Sequence, residues 1–321
     1  MFIKIKKELL FGWVLLLGIS SGSVSVWADI PEEQIKPAHV YVQAQRILNE
    51  VELIRLELGK AKPSQLGIQI TNAQPREVYF QALTLYQKSD RLCFDHTGDI
   101  GSIPPKMKFE KTLPADVFRV LTQAMGRIRC VSDLWKIPAS VSGPKLNPNH
   151  TPSDVFKKIL EINRHLNFLL DTPYSPTTVF RQLQVTIGII EYLVYRQNPD
   201  AKLPNQPLFV RQKRPQDVYY QMKRCLNVIQ RIFHLRGNSF LDLKINKVVS
   251  YIAPGDVYDL VSLLLSETHH LGLAVDPEGY AQAPKKVSVP DRKIPSQVFQ
   301  KAVYLERLLI QWESLIKNDL K

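Results

Sequence analysis

Little in this chain of 321 residues points to chemistry. Past residue 28, no apolar stretch is long enough to cross a bilayer of roughly 30 Å as a helix, so no span is expected after removal of a leader. No run of five or six like charges forms an interaction tail. The three cysteines are Cys93, Cys130 and Cys225. None lies near the N-terminus, which excludes a lipid-anchored maturation site. A nucleophile elbow, a phosphate loop, a His-Glu-x-x-His zinc motif, a dinucleotide glycine fingerprint and an EF-hand loop are all missing. Their absence removes the commonest enzyme classes and leaves no cofactor and no metal to expect.

What is present begins with a leader. Lys4, Lys6 and Lys7 precede an apolar run of 11 residues, Leu9 to Ile19, and small residues then lead to Val26-Trp27-Ala28. This pattern reads as a secretory signal peptide over 1–28, cleaved after Ala28 and directing the chain to the periplasm or the exterior. The mature chain would hold 293 residues, with 39 basic against 29 acidic side chains, a surplus of +10. Such a balance favours anionic surfaces or polymers. Nucleic acid is not an expected partner of an exported protein.

The dominant feature is a repeat, Pro-x-x-Val-(Tyr/Phe), at Pro37, Pro75, Pro114, Pro152, Pro176, Pro215, Pro254 and Pro295. Chance would give on the order of 0.1 such matches, so the periodicity has to be structural. Proline has no N–H and a fixed φ, which suits the first position of a helix and breaks its interior. Two residues on stand Glu77, Asp116, Asp154, Asp217 and Asp256. A carboxylate there meets unpaired N–H groups and the positive end of the helix dipole, so capping explains these acids better than a repeated metal site. Thr151 and Ser175 precede two of the prolines as N-caps. Seven residues after each proline stand Ala44, Ala82, Leu121, Ile159, Leu183, Met222, Val261 and Ala302, a column with no polar member that reads as core. The Val-aromatic pair should bury the first turn, each aromatic contributing roughly 1.5–3 kcal/mol.

Successive prolines are 38, 39, 38, 24, 39, 39 and 41 residues apart. The short middle interval divides the chain into two tandem four-helix modules, 29–172 and 173–321, meeting at Asp171-Thr172-Pro173-Tyr174-Ser175. The linkers agree in order: Lys60 to Gln65 resembles Ala201 to Gln206, and Leu134 to Pro138 resembles Leu273 to Pro277. The expected fold is all-α, with eight amphipathic helices, long Pro-rich linkers and little or no strand. Weak strand-like alternation occurs at Leu66 to Ile70 and at Phe240 to Ile245. A helix of about 20 residues is about 30 Å long, and five residues cannot retrace it, so the fourth and fifth helices should form an antiparallel hairpin. The units are helical and periodic like tetratricopeptide arrays, but lack their 34-residue period and paired helices.

Cys93 and Cys130 fall near the C-terminal ends of the second and third helices, and parallel neighbours would bring them within disulfide range. Cys225 sits in an apolar column as a buried thiol. The densest set of reactive side chains is Cys93, Asp95, His96 and Asp99, the location of choice for a catalytic site if there is one. His269 and His270 point about 100° apart on a helix and cannot share one ion. The sequence therefore favours an exported helical-repeat binding or scaffold protein without catalysis. Its expected partner is an envelope protein or an anionic glycan or lipid surface, met on Lys106 to Lys111, on Arg211, Lys213 and Arg214, or on Lys285, Lys286, Arg292 and Lys293. The alternatives are a sensory module holding a small ligand inside each four-helix half, and an enzyme acting near Cys93 to Asp99.

Overall fold

Every repeat proline is the first residue of a long helix. In the computed structural model these are α1 (Pro37–Glu57), α2 (Pro75–Thr97), α3 (Pro114–Leu134), α4 (Pro152–Leu169), α5 (Pro176–Gln197), α6 (Pro215–Leu235), α7 (Pro254–Val275) and, after the short α8 (Pro277–Tyr280), α9 (Pro295–Asp319). The structure describes residues 31–64, 67–102, 112–139, 144–170, 174–245, 251–280 and 288–320. The leader 1–28, the basic stretch 106–111, Lys285 and Lys286 lie outside the described residues. Residues from Ile35 onward form one compact unit; the unit before it contributes a single described turn, Glu32–Gln34.

The helix starts are capped as their chemistry requires. Glu77, Asp116, Asp154, Asp217 and Asp256 each accept a hydrogen bond from the backbone N–H just ahead of their proline, at 2.5–2.9 Å. His39 Nδ1 and Gln297 Oε1 do the same in two units that have no acid there, at 3.0 and 3.1 Å. In the remaining unit Ser175 Oγ accepts from the N–H of Thr178 at 3.2 Å. All eight repeat valines and the whole column from Ala44 to Ala302 are buried. The aromatics divide: Tyr79, Phe156, Phe180, Tyr219 and Tyr258 are buried, whereas Tyr41, Phe118 and Phe299 stay half-buried.

Each set of four helices packs in the same order. Diagonal α1 and α2 each rest on α3 and α4, and diagonal α5 and α6 each rest on α7 and α9. The four prolines and four valines of each set line one small apolar depression, so all four N-termini lie at one end and the helices of a set run parallel. Parallel neighbours need connections that retrace a whole helix, which accounts for the length of the linkers. Cys93 and Cys130, thereby brought to the same level of α2 and α3, are joined in a disulfide with Cα atoms 6.0 Å apart. Counting from the prolines, their counterparts in the second set are Phe233 and His270, whose rings stack at 5.5 Å.

The sets meet through α7, which packs on α2 and α4. It runs antiparallel to α2, since Arg76 near the start of α2 meets Glu267 and Lys88 further along meets Asp259. α4 and α5 run antiparallel as expected, since each set is parallel and α7 opposes α2, but they do not form a packed hairpin: α5 packs on α7 and α9, and α4 meets the second set through the N-terminal turns of α7. Gly255 permits this approach, as a Cβ there would fall on the carboxamide of Asn167. A two-stranded ribbon adds a second link. β1 (Ile68–Thr71), from the α1–α2 linker, pairs antiparallel with β2 (Asp242–Ile245), from the α6–α7 linker, with Thr71 opposite Asp242.

Candidate docking and ligand sites

Of the seven basic residues singled out from the sequence, five are described, and all precede the first residue of α6 or α9. Arg211, Arg214 and Arg292 are exposed; Lys213 and Lys293 are half-buried. Lys213 donates its N–H to Ser296 Oγ at 3.1 Å and lays its ammonium 4.5 Å over the Phe299 ring. Lys293 donates its N–H to Thr177 Oγ1 at 2.9 Å, and its ammonium lies 5.4 Å from the centre of Phe180. The linkers entering α6 and α9 are thus tied to the first turns of α9 and α5, which gathers the cations at the proline end of the second set. Over the window from three residues before each proline to two after, this end has Lys213, Arg214, Arg292 and Lys293 against Asp217 and Asp256. The first set has Lys36, Arg76 and Lys111 against Glu77, Asp116 and Asp154, so the second end is more positive by two charges. Parallel helices also direct all four positive dipole ends the same way.

Between the sets lies a buried ionic seam that the sequence did not announce. Lys88 is fully buried, 2.5 Å from Asp259 Oδ1. Arg164 Nη1 is 2.5 Å from Asp256 Oδ2, and Asn167 Nδ2 donates to both aspartates at 3.1 and 3.2 Å. Burial pushes Lys88 down and Asp259 up, while their mutual attraction opposes both shifts. Further along, Arg76 Nη2 lies 3.1 Å from Glu77 and 3.4 Å from Glu267. Burial, with Glu77 beside it, raises Glu267 to about 8. Burial and the neighbouring Arg76 lower His270 to about 4. Asp256 is both the N-terminal cap of α7 and the partner of Arg164, and only the capping half of that role was legible from its position.

The set at the end of α2 does not converge. Cys93 is spent in the disulfide, Asp95 lies 3.8 Å from Arg91, Asp99 binds Arg127 at 2.7 Å, and His96 meets Trp135 edge-on. His269 bonds the Tyr280 hydroxyl, while His270 stacks on Phe233. Cys225 is a buried free thiol. Among the described residues, no group of three or more His, Cys, Asp or Glu could hold a metal ion, and no helix is long and apolar enough to cross a membrane.

A cavity of about 330 Å³ lies in the first set between α4 and the linker that returns from α1 to α2. Pro63, Ile68, Ile70 and Leu160 form its apolar walls, and its polar side carries Lys157, Lys158, Arg164 and His165 together with the carboxylates of Asp154 and Glu161. Tyr41 and His150 stack at 3.6 Å on its border. His165 is 3% exposed, and its Nδ1 makes no hydrogen bond; Glu52 Oε1 is 3.5 Å away. No protein-family model, curated protein or solved structure matches this chain.

Proposed function

We propose that the chain is an exported, periplasmic helical-repeat protein that works by binding, as a scaffold without catalysis. It docks an anionic partner, an envelope protein or the surface of a glycan or lipid, on the proline end of its second set. The observation that carries this reading is the coincidence of four parallel helix N-termini with Arg211, Lys213, Arg214, Arg292 and Lys293 at one end. Helix N-termini and fixed cations attract the same sign of charge, and their fields add where the axes are parallel. The cations stand just ahead of α6 and α9, at two of the four helix starts whose prolines, Pro176, Pro215, Pro254 and Pro295, form an apolar depression with their valines and Tyr174, which offers a partner some buried area besides charge. Exposed ionic contacts weaken as salt shortens the screening length from about 30 Å at 0.01 M to about 8 Å at 0.15 M.

The test is binding to anionic vesicles, to an acidic glycan and to envelope extracts, at low and high salt. Arg211→Glu/Lys213→Glu/Arg214→Glu is expected to lose at least about tenfold in affinity, and high salt to mimic the loss. Binding that ignores both salt and the triple substitution would overturn the electrostatic reading.

A further inference from the structure

The two return linkers are anchored alike at both ends and differ between the anchors. Arg164 Nε donates to Ser64 O at 2.6 Å, and Arg307, the residue at the same distance from its proline, donates to Asn205 O at 3.1 Å. Ala73 N–H reaches Ser153 Oγ as Lys213 N–H reaches Ser296 Oγ, both at 3.1 Å. Asn72 and Gln212, one residue earlier, share a left-handed backbone at φ 60° and 61°. In the first linker Ile68 and Ile70 are buried, drawn aside as β1 pairs with β2. Counting from the prolines, their counterparts are Leu208 and Val210. These two and Phe209 between them are 90%, 47% and 46% exposed, and among the described residues no strand pairs with them.

The anchors explain the exposure. Gln300 donates to the carbonyl of the buried Pro207 at 2.7 Å, so both ends of the segment 208–212 are tied to the first two turns of α9. Ser296 and Gln300 are about 6 Å apart along the helix, whereas five residues can span roughly 17 Å, and the segment therefore bows outward. Beside the apolar triplet, Arg211, Lys213 and Arg214 stand where the first linker has Thr71, Ala73 and Gln74. Arg211 and Arg214 are exposed and make no ion pair among the described residues. Cations thus accompany this segment only in the copy that turns its apolar side chains to water.

We propose that this loop is the contact of the protein with an anionic lipid bilayer. Leu208, Phe209 and Val210 enter the boundary between head groups and acyl chains, and Arg211 and Arg214 hold lipid phosphates. The inference rests on the anionic-partner reading above and narrows it to lipid. Single exposed apolar residues are ordinary, but three large ones in succession on a protruding loop mark a contact surface. A glycan has no apolar interior to receive them. A bilayer supplies both an apolar phase and a negative surface, which is worth about fivefold in affinity per nearby cation.

The experiment is flotation of the full mature chain with vesicles of phosphatidylglycerol in phosphatidylcholine, with pure phosphatidylcholine vesicles and soluble dextran sulfate as comparators. The phosphatidylglycerol vesicles are expected to bind at least about tenfold more tightly than pure phosphatidylcholine. Leu208→Ser/Phe209→Ser/Val210→Ser is expected to lose at least about tenfold in vesicle affinity and less than about twofold in dextran sulfate affinity. All three side chains are exposed, so an unchanged thermal melt separates loss of binding from loss of fold. In a Leu208→Trp variant, lipids brominated on their acyl chains should quench the emission beyond that of the unaltered protein. Vesicle binding that ignores the triple substitution, equal affinity for the two kinds of vesicle, or unquenched emission of the Leu208→Trp variant each overturns the proposal. Salt-sensitive binding of dextran sulfate or of an envelope protein, without vesicle binding, overturns the lipid assignment and leaves the anionic-partner reading standing; failure to bind any of them overturns both.

Discussion

The two halves of this chain carry one plan executed in two ways. Both use parallel helices, the same packing order and the same two linker anchors, yet one linker is sealed onto its last helix and the other is lifted off it. The same contrast recurs between α2 and α3: a disulfide in the first half stands where the second has the stacked rings of Phe233 and His270. The comparison teaches that the helix-start proline, its valine and the apolar character of the core column are kept in every unit, whereas the material between helices diverges. In the first half that divergence produced a cleft. In the second it produced a closed flank and a positively charged end.

The buried seam couples the halves and is the first place to break the comparison. Lys88→Met leaves Asp259 charged and buried without its partner, and is expected to cost about 3–5 kcal/mol in chemical denaturation. The double variant Lys88→Met/Asp259→Leu should recover most of the loss, since an apolar pair of similar size removes the stranded charge. A cost below about 1 kcal/mol for the single change would mean that the halves are held together elsewhere, by the ribbon or by apolar packing.

A second handle is the pH dependence of the same seam. Glu267 titrates near 8 in the folded chain against about 4.5 unfolded, so the folded state holds a proton that the unfolded state has lost. Its stabilisation is complete below about pH 4.5 and falls as pH rises toward 8. At ~1.36 kcal/mol per pKa unit, Glu267→Gln should gain roughly 3 kcal/mol over wild type between pH 5 and pH 8. His270 acts in the opposite sense, losing stabilisation as pH falls from about 6.5 to about 4. Because Glu267→Gln retains His270, Arg76 and Glu77, the difference between the two curves reports Glu267 together with its coupling to Glu77. Parallel curves would refute its assignment as a buried neutral acid.

The smallest expected effect probes the linkers directly. Gln300→Ala and Gln311→Ala remove side-chain bonds to Pro207 O and Lys202 O, each worth about 0.5–1.5 kcal/mol. Together they are expected to make residues 201–210 more open to limited proteolysis than in the unaltered protein. No change in the cleavage pattern would show that packing, and not these bonds, closes the second flank.

Much of this architecture could be read along the chain. The prolines marked the helix starts, the acids two residues on are caps, and the seventh position of every unit is core. The alternations at 66–70 and 240–245 correspond to β1 and β2, but nothing local indicated that they pair with each other, because four residues specify a strand and not its partner. Of the surface expected from Arg211, Lys213, Arg214, Arg292 and Lys293, the structure adds that the helix starts bring these residues to one end. The seam was missed because Lys88, Arg164 and Asp259 resemble the charges of any solvated helix face. One signal could have exposed it. The run Leu260, Val261, Leu263, Leu264 and Leu265 makes α7 apolar around most of its circumference, the mark of a helix with no face left for water.

What the sequence determined by itself is the position, start and buried stripe of each helix, since capping and amphipathic periodicity act between residues three, four and seven apart. Tertiary structure alone decided that the helices of each set run parallel, that α4 would meet the second set through α7, and that one linker would leave a cleft where its duplicate leaves none. Those outcomes depend on pairs such as Lys88 with Asp259, 171 residues apart, or β1 with β2, whose energies exist only once the halves have docked.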